Sequence, residues 1–349
     1  MATEFWQLSL KESLSSPRQL AELFPIDPQP LEAVVDRYPM RISPYYLSLI
    51  EAVGDPIWRQ CVPDPRELED IGLVDPLGEE DLSPVPAVIH RYPDRVIFLA
   101  SGSCASYCRF CTRKRNVGCR ELALSFRELR EGIDYIANTP QVRDVIFSGG
   151  DPLLLPDSVL ADLLARVHAI PHVEIIRLGT RIPVTLPERV TDNLCRMLKR
   201  FAPIYLNTHF NHPRELTPQA AEACGKLADA GIVLGNQTVL LRGVNDRPEI
   251  ISELFRGLLT LRVRPYYLHQ MDLVRGTYHF RTSVDTGLKI MKKLRGPVSG
   301  LASPHYVIDL PGGKGKVPLV PSDVVREGNR LFIQTASGEQ VEYLDCSDC

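Results

Sequence analysis

The chain has 349 residues and carries 40 Lys and Arg against 43 Asp and Glu, a formal charge of −3. Hydrophobic residues make up 44% and charged residues 24%, the proportions of a soluble globular protein. That balance excludes a bulk-basic nucleic-acid binder, and no apolar run of about 18 residues predicts a membrane-spanning helix. The length suits about two domains, or one α/β barrel with extensions. The start, MATEFWQLSLKESL, lacks the basic-then-apolar pattern of a secretory signal, so a cytoplasmic setting is expected. There thiols stay reduced, and the nine cysteines are expected to serve metal binding or catalysis rather than disulfides.

In chain order, residues 1–88 read as a proline-punctuated helical region, with short helices expected at Pro17–Leu23 and Glu32–Tyr38. From about residue 95 apolar runs alternate with helical patterns. The runs are VIFLA (96–100), DVIFSGG (144–150), VEIIRLGT (173–180), IYLNTH (204–209), GIVLGNQTV (231–239) and RPYYLHQMD (264–272). Helices are predicted over 125–138, 157–170, 189–201, 217–231 and 249–262. Leu160, Leu163, Leu164 and Val167 form one face of the second, and Thr217, Pro218 and Gly231 provide the cap, start and stop of the fourth. The alternation predicts a parallel sheet with right-handed crossovers. Six units are too few for a closed eight-unit barrel, leaving an open, partial barrel or a doubly wound sheet. Both put the active site at the C-terminal strand ends, near Cys104–Cys111, Ser148–Pro152, Gly179–Arg181, His209, Gln237 and Asp272.

The strongest chemical signal is SGSCASYCRFCTRKR, in which Cys104, Cys108 and Cys111 form C-x3-C-x2-C directly after a strand. Clustered thiolates suit zinc or iron–sulfur chemistry. Structural zinc wants four ligands, which Cys119 or a distant His would have to complete, whereas three cysteines on a cubane leave one iron open. After the second strand, FSGGDPL brings Ser148, Gly149, Gly150 and Asp151, where the glycines admit close backbone approach by a ligand or simply end a strand. His209 and Gln237 at strand ends suit either a cofactor or core hydrogen bonds. YVIDLPGGKGKVPLVP (306–321) sets a Gly-rich run after a buried-looking strand, VIDL; it lacks the spacing of a P-loop, and its lysines suit either a solvated basic turn or a covalent link to an aldehyde cofactor.

The cysteine loop resembles that of the radical S-adenosylmethionine (SAM) superfamily. HRYPDRV (90–96), CASYCRFCTRKR (104–115), SGGDP (148–152), RLGTRIPVTLPERV (177–190), NQTVLLRGVND (236–246), RPYYLHQMD (264–272), LRGPVSGL (294–301) and DLPGGKGK (309–316) in series resemble the lysine 2,3-aminomutase family over roughly residues 85–321. The resemblance implies a partial (β/α)6 barrel over 89–300, a helical N-terminal extension over 1–88, and a C-terminal pyridoxal phosphate (PLP) segment over 301–349. It implies a 4Fe-4S cluster on Cys104, Cys108 and Cys111, with SAM near Ser148, Gly149, Gly150, Asp151, His209 and Gln237. PLP falls to Lys316, with Arg91 and Arg95 at its phosphate and Tyr92 on its ring.

For the substrate, the resemblance implies Arg113 at the carboxylate and Asp272 with Asp309 at an ε-ammonium. The implied activity is an isomerase interconverting L-lysine and L-β-lysine. Arginine, glutamate or a lysine of elongation factor P are the alternatives. A one-electron reductant such as flavodoxin or ferredoxin, a homo-oligomer, and no nucleic-acid or membrane partner are also implied. The chain departs from the family pattern at Lys314, where glycine is usual, and at His269, where a phenol is usual. A third departure is Arg247, at the position of a zinc-binding cysteine, which leaves a zinc site at Cys346 and Cys349 incomplete.

Overall fold

The computed structural model describes residues 4–118, 124–320, 324–327, 330–335 and 339–344. Cys119, Cys346 and Cys349, and with them the zinc expectation, lie outside these.

The N-terminal region holds short helices: α1 (Phe5–Lys11), α2 (Pro17–Ala21), α3 (Gln29–Arg37), α4 (Pro44–Ser48) and α5 (Pro56–Cys61). Several prolines that break the region are also helix starts. Pro17, Pro44 and Pro56 each occupy the first helical position behind a capping Ser16, Ser43 or Asp55. A proline there loses no hydrogen bond, and the capping oxygen satisfies an N–H that would otherwise be orphaned. Trp6, Leu20, Ile42, Tyr46, Ile57 and Trp58 carry this layer into the main core.

The sheet has nine strands in strict chain order. β1 (Val88–Tyr92) pairs antiparallel with β2 (Arg95–Ser101). Parallel strands follow as β3 (Asp144–Gly149), β4 (Ile175–Gly179), β5 (Ile204–Thr208), β6 (Val233–Leu240), β7 (Arg264–Gln270) and β8 (His305–Asp309). β9 (Lys316–Pro318) turns back antiparallel on β8. The first and last strands do not pair, so the barrel is open. The six strands of the alternating series are present, as is the strand expected at VIDL, and two more extend the sheet. The two added strands, β1 and β9, are short and carry Arg91 and Lys316, so their polarity hid them from a search for apolar runs.

Along each strand, alternate side chains face opposite sides. Phe98, Phe147, Leu178, Leu206, Leu234 and Leu268 point outward and are buried beneath the helices. Those helices are α6 (Phe126–Ala137), α7 (Asp157–His168), the short α8 (Ile182–Thr185), α9 (Asp192–Lys199), α10 (Pro218–Asp229), α11 (Pro248–Thr260) and α12 (Val284–Leu294). Leu160, Leu163, Leu164 and Val167 are all buried on α7, as their spacing requires. Thr217 caps α10 by accepting from the Ala220 amide, and Gly231 ends the following turn with φ +84°. A separate antiparallel sheet of β10 (Val324–Glu327), β11 (Arg330–Gln334) and β12 (Gln340–Leu344) follows.

Candidate active site

The inward-facing side chains of the curled sheet line one cavity of about 870 Å³. It takes residues from β1 through β9, including Arg91, Ile97, Ser148, Arg177, Asn207, Gln237, His269, Asp309 and Lys316. Cys108, Cys111 and Arg113 enter it from the loop that follows β2.

That loop is braced from below by the N-terminal layer. The Tyr107 amide donates to the Arg41 carbonyl and the Arg109 amide to the Gln60 carbonyl. Arg109, between the second and third cysteines, is buried and ion-paired with buried Glu67, and Lys114 Nζ donates to the same carboxylate at 2.7 Å. Burial pushes the Cys111 thiol up to about 11, with the neighbouring Cys108 adding to it, and holds the Cys104 thiol well above its usual range. Three interacting, half-buried thiols fit a group that takes them as thiolates and offsets their charge. Among the described residues, no three His, Cys, Asp or Glu side chains converge on a single ion. A cubane, whose three cysteines sit on different irons, does not ask for that convergence, whereas a mononuclear zinc site does.

Ser148 lines the cavity, and Gly149, Gly150 and Asp151 follow it against the cysteine loop. Gly149 has φ +115°, and a Cβ there would lie 2.3 Å from the Ser101 carbonyl oxygen; one on Gly150 would lie 2.4 Å from that of Ser103. The backbone that approaches the glycines is therefore the cysteine loop itself. Asp151 is buried and does not line the cavity; it accepts from Thr180 Oγ1 at 2.7 Å, the Arg181 amide at 2.8 Å and the Leu153 amide at 3.0 Å. Burial still lifts its carboxyl to about 6. These residues tie the ends of β3 and β4 to the cluster loop.

His209 and Gln237 both line the cavity. Burial, with the charge of Arg181 behind it, pulls the His209 imidazole down to about 3, so it is neutral, and its ring lies 5.9 Å from Phe110. Both suit hydrogen bonding to a nucleoside on the concave face.

At the far end, Lys316 enters the cavity while Lys314 is exposed and does not. Gly315 at φ +100° makes the turn that separates them. The Lys316 amide donates to Tyr92 Oη at 2.9 Å. Its Nζ contacts Asp309 and lies 3.3 Å from His269 Nδ1. Arg95 lies over the Tyr92 ring at 3.9 Å, and Arg91 pairs with Asp309 at 3.0 Å. One reactive amine, one aromatic ring and two permanent cations on the same wall fit a phosphorylated aromatic aldehyde. His269 Nε2 is buried without a partner among the described residues.

The three residues expected at the substrate behave unequally. Arg113 lines the cavity with its guanidinium held by Glu79, at 2.9 and 3.1 Å through Nε and 2.8 Å through Nη2, and its Nη1 donates to Ser148 Oγ at 3.1 Å. Asp309 is heavily partnered; burial works against its charge, but the His269 hydrogen bond and the Lys316 cation outweigh that and hold it well below the usual carboxylate range. Asp272 lines the same cavity with no ion pair or hydrogen bond among the described residues, and burial, reinforced by Asp309, lifts it to about 7. Sequence reasoning missed Glu79, which lies in a stretch with no periodicity, and Glu215, which pairs with Arg181 at 2.8 Å.

A cysteine loop at the mouth of an open parallel barrel defines a radical SAM enzyme. The family model for the radical SAM superfamily matches residues 99–254, and a second, described as lysine-2,3-aminomutase, matches residues 291–336. The chain is 47% identical over 348 residues to L-lysine 2,3-aminomutase of Fusobacterium nucleatum, covering 97% of this chain and 82% of the relative. It is 49% identical over 324 residues to that of Methanococcus maripaludis, covering 91% and 75%. It is also 44% identical over 345 residues to glutamate 2,3-aminomutase of Clostridioides difficile, covering 97% and 82%. The chain belongs to the lysine 2,3-aminomutase family.

Proposed function

We propose that this protein interconverts L-lysine and L-β-lysine by moving the amine between C2 and C3. The observation that carries the substrate is Asp272, a half-buried carboxylate on the cavity wall with no ion pair or hydrogen bond among the described residues. Its ionised form is disfavoured by burial and by Asp309, more than Lys316, Arg91 and Arg281 offset; an ε-ammonium at that position lowers the cost, and a glutamate carboxylate would add to it. The names of most of the relatives agree with lysine, and glutamate is the weaker reading.

When bound, the cluster and SAM supply hydrogen-atom abstraction at an unactivated carbon, and PLP supplies the aldehyde on which an amine migrates. The chain's own residues do the rest. Cys104, Cys108 and Cys111 hold the cluster, and His209 and Gln237 hydrogen-bond SAM beside Ser148. Lys316 holds PLP, Arg91 and Arg95 neutralise its phosphate, and Tyr92 packs on its ring. Arg113 orients the substrate carboxylate, with Glu79 fixing the plane of its guanidinium. Asp272, next to Asp309, fixes the far end, so the C2–C3 bond is held between two charged anchors. Ile97, Ile146, Val239 and Val307 give the cavity an apolar wall between the charged groups. The reading includes an external one-electron reductant of flavodoxin or ferredoxin type, a homo-oligomer and a cytoplasmic setting. No helix among the described residues is long and apolar enough to cross a membrane.

The test is an anaerobic assay on reconstituted protein with SAM, PLP and a strong reductant, offering L-lysine, L-arginine, L-glutamate and unmodified elongation factor P in parallel. Lysine is expected to be the preferred substrate. Turnover of glutamate above lysine, or of the protein lysine alone, refutes the assignment.

A further inference from the structure

We propose that Arg181 is a positioning residue for the iron–sulfur cluster: its guanidinium donates an N–H···S hydrogen bond to Cys108 and thereby sets the potential at which the cluster accepts its electron. The inference rests on the reading that Cys104, Cys108 and Cys111 hold that cluster.

Arg181 lies just past the end of β4 and is buried. Its Nη1 is 2.8 Å from Cys108 Sγ. Every other part of the group is fixed. Nη2 donates to Glu215 Oε1 at 2.8 Å, Gln60 Oε1 at 2.6 Å and Tyr46 Oη at 3.0 Å, and Nε donates to the His209 carbonyl at 3.1 Å. The Tyr46 and Phe110 rings lie 5.1 and 5.3 Å from the guanidinium carbon. Glu215 is itself locked, accepting from the Asn211 and His212 amides at 2.6 and 3.0 Å. The fork is thus aimed by groups on α4, α5, the segment just past β5 and the segment before α10, and its Nη1 points at a thiol of the cluster loop.

The electrostatics follow from that geometry. Reduction adds one electron from an external one-electron donor, and the extra charge spreads onto the cysteine sulfurs. A donor hydrogen bond and a fixed positive charge beside one sulfur stabilise the reduced form more than the oxidised form, which raises the potential. A neutral structural residue would hold the loop without doing this. Lysine keeps the charge but cannot reach sulfur, carboxylate and amide together, because only the planar fork presents donors in several fixed directions.

The experiment is an EPR-monitored reductive titration, with dithionite and low-potential mediators, of anaerobically reconstituted wild type, Arg181→Lys and Arg181→Gln. Iron and sulfide content and the wild-type EPR signal test the cluster reading separately. For Arg181→Gln, the reduced-to-oxidised ratio at the wild-type midpoint is expected to fall at least tenfold, which is about 59 mV for one electron. Arg181→Lys is expected to shift in the same direction by less. A fully loaded Arg181→Gln protein with the wild-type midpoint overturns the proposal. A second measurement needs no variant: wild type grown with guanidino-¹⁵N arginine, reduced and examined by pulsed EPR. A ¹⁵N coupling to the cluster is expected, and its absence overturns the proposal even if the variants fail to take up iron.

Discussion

Asp272→Asn tests the recognition of the substrate cation through its dependence on pH. The carboxyl is buried beside Asp309 and its pKa stands at about 7, against an ordinary value near 3.8. Only the ionised form pairs with an ammonium, and the ε-ammonium of lysine, with a pKa of about 10.4, stays charged across the range tested. With a pKa of about 7 the ionised fraction rises about tenfold between pH 6 and pH 8, so apparent affinity for lysine improves about tenfold over that interval. The sign for folding is opposite. The folded state holds this proton more tightly than the unfolded chain, so the associated stability is full below about pH 4 and is lost as pH rises through 7. KM for L-lysine is to be measured from pH 6 to 8.5 in wild type and Asp272→Asn, with thermal unfolding of both in the absence of substrate. The expected result is a KM that falls with pH in wild type and is high and flat in the variant. The variant is also expected to be the more heat-stable protein at pH 8. A wild-type KM independent of pH, or the same slope in the variant, refutes the reasoning.

Lys316→Ala is expected to abolish the visible absorption of tightly bound PLP after gel filtration while Lys314→Ala keeps it, because only Lys316 reaches the cavity; the reverse pattern would exchange their roles. Gly149→Ala forces a side chain onto φ +115° and 2.3 Å from the Ser101 carbonyl. It should cost about 2–4 kcal/mol and lower iron uptake by displacing the cysteine loop, as calorimetry and iron analysis would report. Glu67→Ala leaves the buried cations Arg109 and Lys114 without their shared carboxylate. A loss of about 3–5 kcal/mol in denaturant unfolding is expected, and a loss below about 1 kcal/mol would mean that water or another carboxylate replaces it.

Much of the architecture was legible in the sequence because its signals are local. The six core strands are apolar runs, α7 carries its buried stripe at helical spacing, and Thr217 with Pro218 marks a helix start chemically. The cysteine loop was legible because its three cysteines are close in sequence and follow directly on a strand. What escaped is what depends on distant pairs. β1 and β9 are strands because of their neighbours, and they turn Arg91 and Lys316 inward because a cavity, not a core, lies beneath them. Only the folded chain reveals that the backbone of Ser101 and Ser103 packs against the glycines after β3. Arg181 stood in view after β4, yet its partners Cys108, Gln60 and Glu215 are separated from it by 73, 121 and 34 positions. Glu79 lies in an aperiodic segment, so nothing before folding ties it to Arg113.

The most direct measurement follows the nitrogen itself. Reconstituted protein, with cluster and PLP loaded, is incubated anaerobically with SAM, reductant and L-lysine labelled with ¹³C throughout and ¹⁵N at the α-amine. ¹³C NMR then reports which carbon carries the one-bond ¹⁵N coupling. The account predicts that the coupling moves from C2 to C3 as β-lysine accumulates, and that Asp272→Asn slows the movement at pH 8. A coupling that stays on C2, under conditions in which the same preparation moves the amine of glutamate, would contradict it.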